Sequence, residues 1–210
     1  MCGIYLSDNF HDFDVLALAN AYRGGDTSSI TFFYEDGDID VQKYDTGYDS
    51  SQMINSYLKP IKCIVGHTQA ATTKDSVAHP VIVNEKLLWH NGVIKSDCIR
   101  MMQEKTGLTT SFDTELMLNM IDQYGLESLN DIDGGFSCFY YNGTSLHIFR
   151  NTQSPLFFGN DRELGFGISS TKTKMTNINI KPDVASILDE VGDLKSVFKF
   201  KTKNNPFFFG

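Results

Sequence analysis

The 210-residue sequence predicts an α+β fold of largely antiparallel sheets covered by helices. Two observations lead there. Apolar runs pair across Asp36-Gly37 and Asn142-Gly143, the dipeptides that two-residue hairpin turns favour. Helical patterns fall between these hairpins without the regular strand–helix alternation of a parallel sheet.

In chain order, CGIYLS predicts a short strand that begins almost at the first residue. DVLALANAYRGG predicts a helix carrying Val15, Leu16, Leu18, Ala19 and Tyr22 on one face and stopping at Gly24. ITFFYEDGDIDVQKY predicts two strands joined at Asp36-Gly37, and CIVGHT and KLLWHNGVI are short apolar strands, each ending at a polar turn. The strongest helix is SFDTELMLNMIDQYG. Leu116, Met117, Met120, Ile121 and Tyr124 share a face, Ser111 or Asp113 is placed to cap the start, and Gly125 ends it. FSCFYYNGTSLHIFR is a hairpin, LGFGISST another strand, and KPDVASILDEVG a short helix. Residues 1–197 form one expected domain. From Phe198 the chain reads as an apolar tail (198–210) whose final phenylalanines are expected to dock on the body or on a partner.

Composition narrows the function classes. Hydrophobic residues make up 41%, which suits a packed core. The net charge is −8, from 18 basic and 26 acidic residues, with no basic run, so nucleic-acid and anionic-membrane partners are disfavoured. No apolar stretch is long enough to span a bilayer and no basic-then-apolar leader opens the chain, so a soluble cytoplasmic protein is expected. Cys2, Cys63, Cys98 and Cys138 show no C-x-x-C pairing, which argues for reduced thiols rather than a zinc cluster. The last three lie among apolar neighbours and read as core residues. Cys2 stands directly behind Met1.

That position has chemical meaning. A cysteine attacks only as thiolate and needs a base. If Met1 is trimmed, the α-amino group of Cys2, with an unperturbed pKa near ~8, is such a base. Thiolate attack on an amide then creates an oxyanion that needs fixed donors. In Trp89–Ile94 (WHNGVI), the Asn91 side-chain amide and the Gly92 N–H follow an apolar strand and are placed to serve, although a simple Asn-Gly turn accounts for the same letters.

Taken together, the motifs resemble the glutaminase domain of class II glutamine amidotransferases, which are N-terminal nucleophile hydrolases. Cys2-Gly3-Ile4 resembles the family's opening, and Tyr22-Arg23-Gly24-Gly25-Asp26 its arginine turn. Gly66-His67-Thr68 through Thr72 resembles a glycine-histidine-threonine segment, followed by His79-Pro80. His90-Asn91-Gly92 resembles the oxyanion motif and Asp113-Thr114-Glu115 the start of the following helix. Gly135-Phe136-Ser137 and Arg150–Leu156 complete a series that runs in the family's order from residue 2 to about Ser170. The nearest look is to the glutaminase half of glucosamine-6-phosphate synthase. The resemblance implies a four-layer αββα sandwich and hydrolysis of glutamine to glutamate and ammonia. It makes Cys2 the nucleophile, Asn91 and Gly92 the oxyanion hole, and Asp113 the partner of the substrate ammonium. Arg23, Gln69, Thr72 and His79 shape the substrate pocket. No metal or organic cofactor is required, and the ammonia is expected to pass to a separate synthase.

One position departs. Where the family carries an arginine for the substrate α-carboxylate, this chain has Gln69, followed by Ala70, with Thr73 and Lys74 nearby. Losing a charged hydrogen bond weakens binding roughly ten- to a hundredfold. Beside the glutaminase stand two other readings: an N-terminal cysteine amidohydrolase of another small carboxamide, and a catalytically silent regulatory or assembly subunit.

Overall fold

A computed structural model describes residues 2–53, 59–70, 77–161, 163–188 and 192–203. The chain forms two compact units. The first comprises Met1–Ala71, Ala78–Pro80 and Leu156–Ile180, and the second Thr72–Val77, Val81–Pro155 and Lys181–Gly210. Both sheets are antiparallel throughout, so the expected α+β class with antiparallel sheets holds.

The first unit is a seven-stranded sheet. Its strands are β1 (Gly3–Ser7), β2 (Thr27–Tyr34), β3 (Ile39–Tyr44), β4 (Ile61–Gln69), β9 (Phe157–Asp161), β10 (Gly165–Ser169) and β11 (Ile178–Asn179), in the order β11-β9-β10-β1-β4-β2-β3. The Asp36-Gly37 hairpin joins β2 to β3 as expected, with Gly37 at φ 93°. Helix α1 (Phe10–Ala21) starts at Asn9, whose side chain accepts from Asp12 N–H at 2.9 Å. It buries Phe13, Leu16, Ala17 and Asn20 against Tyr5, Ile30, Phe32 and Ile64. The expected core face is therefore displaced: Val15, Leu18 and Tyr22 are exposed. The cause is that this helix is apolar nearly all round, so spacing alone does not choose a side.

The second unit is a six-stranded sheet of β5 (Val81–Val83), β6 (Lys86–Ile94), β7 (Gly134–Tyr141), β8 (Leu146–Arg150), β12 (Val184–Leu188) and β13 (Leu194–Lys199), in the order β13-β12-β8-β7-β6-β5. Two helices lie on its core: α2 (Ser96–Thr106), closed by left-handed Gly107, and α3 (Asp113–Tyr124), closed by Gly125. Leu116, Met117, Met120 and Ile121 of α3 are buried, but Tyr124 is half exposed. The α3 cap is Phe112, whose side chain offers no acceptor, so neither Ser111 nor Asp113 caps the helix; Asp113 is its first residue. The segment expected as a helix, KPDVASILDEVG, instead forms strand β12 between β8 and β13. Its β-branched Val184 and Ile187 suit a ladder, and Asp183 at φ 61° breaks any helical start. The segment from Phe198 completes β13 through Lys199, and Phe200 then stacks on Phe136 at 5.8 Å. Phe207–Phe209 lie outside the described residues. No described helix is long and apolar enough to cross a membrane.

Close approach explains one motif glycine. Gly66 on β4 pairs with Tyr5 on β1, and a Cβ there would sit 2.1 Å from the Tyr5 ring. Both residues lie in the core, so Gly66→Ala is expected to lower stability by roughly 1–3 kcal/mol through overpacking. Urea denaturation should show an earlier midpoint; an unchanged one would mean the Tyr5 ring moves aside without cost.

Candidate active site

The first unit holds Cys2, Arg23, Gln69 and His79. Cys2 is half-buried at the entrance to β1, an inner strand flanked by β4 and β10. Its carbonyl accepts from Arg23 Nε at 2.8 Å, and its Sγ lies 3.7 Å from the Ala70 carbonyl. Arg23 reaches it because α1 ends at the preceding turn, where Arg23 N–H bonds Asn20 O at 2.9 Å.

Asn20 is a residue that motif reading missed. It is fully buried, and its Nδ2 donates to Leu16 O at 2.8 Å and Ser169 Oγ at 2.9 Å. Its Oδ1 accepts from Ser170 Oγ at 3.2 Å and Thr171 Oγ1 at 2.8 Å, which uses the whole hydrogen-bonding capacity of the amide. Ser170 Oγ in turn accepts from Ile4 N–H at 3.0 Å. A Cβ on Gly3 would strike both Thr68 Oγ1 and Asn20, so β1 enters the sheet through a slot sized for glycine. A lone polar residue in the apolar run Val15–Ala21 is the sequence signal that could have found Asn20.

Gln69 ends β4 with 2% exposure. Its Oε1 accepts from Thr27 Oγ1 at 2.8 Å, and its backbone oxygen accepts from Asp26 N–H at 3.0 Å. The Tyr22–Asp26 turn rests directly on this strand end, since a Cβ on Gly24 would lie 2.3 Å from the Gln69 carbonyl carbon. His79 is buried with its ring stacked on His67, the centroids 3.9 Å apart. Thr72, Thr73 and Lys74 lie outside the described residues.

The second unit holds Asn91, Gly92 and Asp113. Asn91 and Gly92 lie inside β6, paired with Ser137 and Phe136 of β7, and not in a turn. Asn91 is buried; its Nδ2 approaches Ser137 Oγ at 3.4 Å, and Ser137 Oγ donates to the Asn91 carbonyl at 3.2 Å. The buried Asn91 Oδ1 has no hydrogen-bond partner among the described residues. Gly92 is obligatory, because a Cβ would come within 1.9 Å of the Gly135 carbonyl oxygen.

Asp113 opens α3 beside the buried His90, its Oδ1 3.8 Å from His90 Nδ1, which also meets Thr114 Oγ1 at 3.2 Å. Burial pushes the Asp113 carboxyl up, but the His90 charge and bond, with the Thr114 and Ile94 N–H groups, more than offset this and hold it below the usual carboxylate range. Asp113 is thus an anion at neutral pH. A depressed native pKa stabilises the fold above the unfolded value, and that contribution is lost as pH falls through the native one. The melting-temperature deficit of Asp113→Asn should therefore be larger near about pH 6 than near about pH 3. Equal deficits at both would deny Asp113 any charge coupling.

No disulfide forms among the four cysteines. Desolvation pushes the Cys63 thiol up to about 12 and raises those of Cys98 and Cys138 as well. These three are inert thiols at neutral pH. Brief treatment with iodoacetamide, read by peptide mass mapping, should label Cys2 first; labelling of Cys138 ahead of it would contradict the burial described.

No family model and no curated protein matches the sequence. Solved structures do. The fold is similar to glutamine phosphoribosylpyrophosphate amidotransferase from B. subtilis complexed with ADP and GMP, with a TM-score of 0.72 and 18% identity, over 98% of this chain and 50% of that one. It is equally similar to a structure described as the allosteric regulatory enzyme of purine biosynthesis, with a TM-score of 0.72 and 18% identity, over 97% of this chain and 50% of that one. The chain spans half the length of each. The chain shares the fold of these two structures, within the α+β class of antiparallel sheets that the sequence led one to expect.

Proposed function

We propose that this chain is a class II glutaminase that releases ammonia from the side-chain amide of glutamine, with Cys2, freed by removal of Met1, as nucleophile. One observation carries the reading: a fold shared over 98% of the chain with a glutamine amidotransferase, at a TM-score of 0.72, in a sequence whose motifs stand in the order of that family.

In the proposed reaction the α-amine of Cys2 takes the thiol proton and Sγ attacks the carboxamide carbon. The resulting oxyanion is held by the Asn91 side-chain amide and the Gly92 N–H. Collapse expels ammonia with the proton returned by the amine, leaving a thioester. Water, deprotonated by the same amine, hydrolyses it to glutamate and regenerates the thiol. Support comes from the Arg23 bond that fixes the Cys2 carbonyl and from the siting of Asn91 within a paired strand, where little reorganisation is needed. Asp113, anionic at the start of α3, is suited to the substrate ammonium. The acceptor of the ammonia lies outside these residues.

Glutamine turnover, measured on protein whose N-terminus is verified by intact mass, tests the proposal. Protein lacking Met1 should form glutamate, and protein retaining it should not. Cys2→Ala should abolish turnover with little change in melting temperature. Asn91→Ala should cost about 10²–10³-fold in turnover, the usual effect of losing one oxyanion donor. Full activity in protein that retains Met1 would overturn the mechanism.

A further inference from the structure

Beside Asp113 the second unit contains a cavity of about 480 Å³, within the range of roughly 300–1,000 Å³ typical of small-molecule sites. Val93, Ile94 and Ile99 give it an apolar wall, and Arg100, Ser111 and Asp113 a polar one. Asp113 is an anion and Arg100 a permanent cation. One cavity thus presents both charges beside an apolar wall. That is the complement of an α-amino acid head, whose ammonium and carboxylate leave one carbon.

We infer that this cavity receives the zwitterionic end of the substrate, with Arg100 binding the α-carboxylate while Asp113 takes the α-ammonium. The inference deepens the proposed function and rests on it for the identity of the amino acid. Two further facts favour Arg100. Gln69, at the position where the resemblance implies an arginine, is neutral, nearly inaccessible and engaged by Thr27. The Arg100 guanidinium is held only lightly: its ion pair with Asp97 joins side chains that are 73% and 88% exposed, one helical turn apart. Such exposed pairs contribute little, so exchanging Asp97 for a substrate carboxylate carries a small penalty. A planar guanidinium also suits a carboxylate through two parallel N–H donors. The apolar wall would cover the substrate's methylene groups.

The test separates this inference from the proposed catalysis by measuring binding without turnover. Cys2→Ala protein is titrated with L-glutamine and with 4-aminobutanamide, which is glutamine without its α-carboxylate, by chemical-shift perturbation. Adding Arg100→Gln should weaken L-glutamine about tenfold or more, the effect of one charged hydrogen bond, and leave 4-aminobutanamide unchanged. Adding Asp113→Asn should weaken both. Circular dichroism confirms that each variant is folded, which the exposed position of Arg100 favours. Glutamine affinity that is independent of Arg100, equal losses for both ligands, or no glutamine binding would overturn the assignment. Glutamine turnover with no Arg100 dependence would remove this inference and leave the proposed function standing. Arg100-dependent binding in a protein that never hydrolyses glutamine would do the reverse.

Discussion

The candidate nucleophile depends on one constraint: β1 is an inner strand from its first residue. A chain terminus ordinarily frays, because few bonds hold it and its conformational entropy is large. Here Gly3 is paired with Thr68 on one side, and Ile4 both donates to Ser170 Oγ and accepts from Ser170 N–H on the other. Cys2, one residue outside the ladder, inherits that order. Arg23 adds a bond to the Cys2 carbonyl, from the turn that closes α1. Ordering a reactive group in advance of substrate is the part of catalysis that a fold can supply by itself.

Such an entrance has to be narrow, and glycine makes it so. Gly3, Gly24 and Gly66 each face an atom closer than 3.0 Å to where a Cβ would be, and Gly92 does the same within the second unit. At Gly24 the obstacle is the end of β4, at Gly66 the Tyr5 ring, and at Gly92 the carbonyl of Gly135. These residues belong to four different motifs, yet they answer the same steric demand. A motif glycine at these places therefore records close packing within its own unit, whatever else it does.

The hairpins at Asp36-Gly37 and Asn142-Gly143 were legible because turn chemistry and alternating arms agree within a few residues. So was α3, whose apolar face is one-sided. Helix α1 was legible as a helix but not in its orientation: Phe13 and Leu16 are in the core while Leu18 and Tyr22 are not, and only the tertiary partners decide that. VASIL in β12 was misread for a related reason, since a short apolar run carries no period of its own and becomes a strand when β8 and β13 offer ladders on both sides. At the candidate site, motif order pointed to Cys2, Asn91, Gly92 and Asp113. It was silent about Asn20, whose partners Ser169, Ser170 and Thr171 are some 150 positions away in the chain. It was equally silent about Arg100, which becomes relevant only because the end of β6, α2 and the start of α3 enclose one cavity.

A glutamine at position 69 has a physical logic. A guanidinium at a site with 2% exposure would have to shed its water and could regain the loss only from a bound anion, leaving the unliganded protein with a costly buried charge. A glutamine amide avoids that cost, because Thr27 satisfies its oxygen whether or not a ligand is present. The end of β4 is thereby sealed with neutral polar pairs, and Asp26 N–H reaches the same strand end through the Gln69 backbone. On the proposed function, the cation that an amino-acid carboxylate requires is cheaper to keep on a helix surface, where water solvates it until the ligand arrives. Arg100 has that exposure, and its exposed pairing with Asp97 holds it weakly enough to be given up.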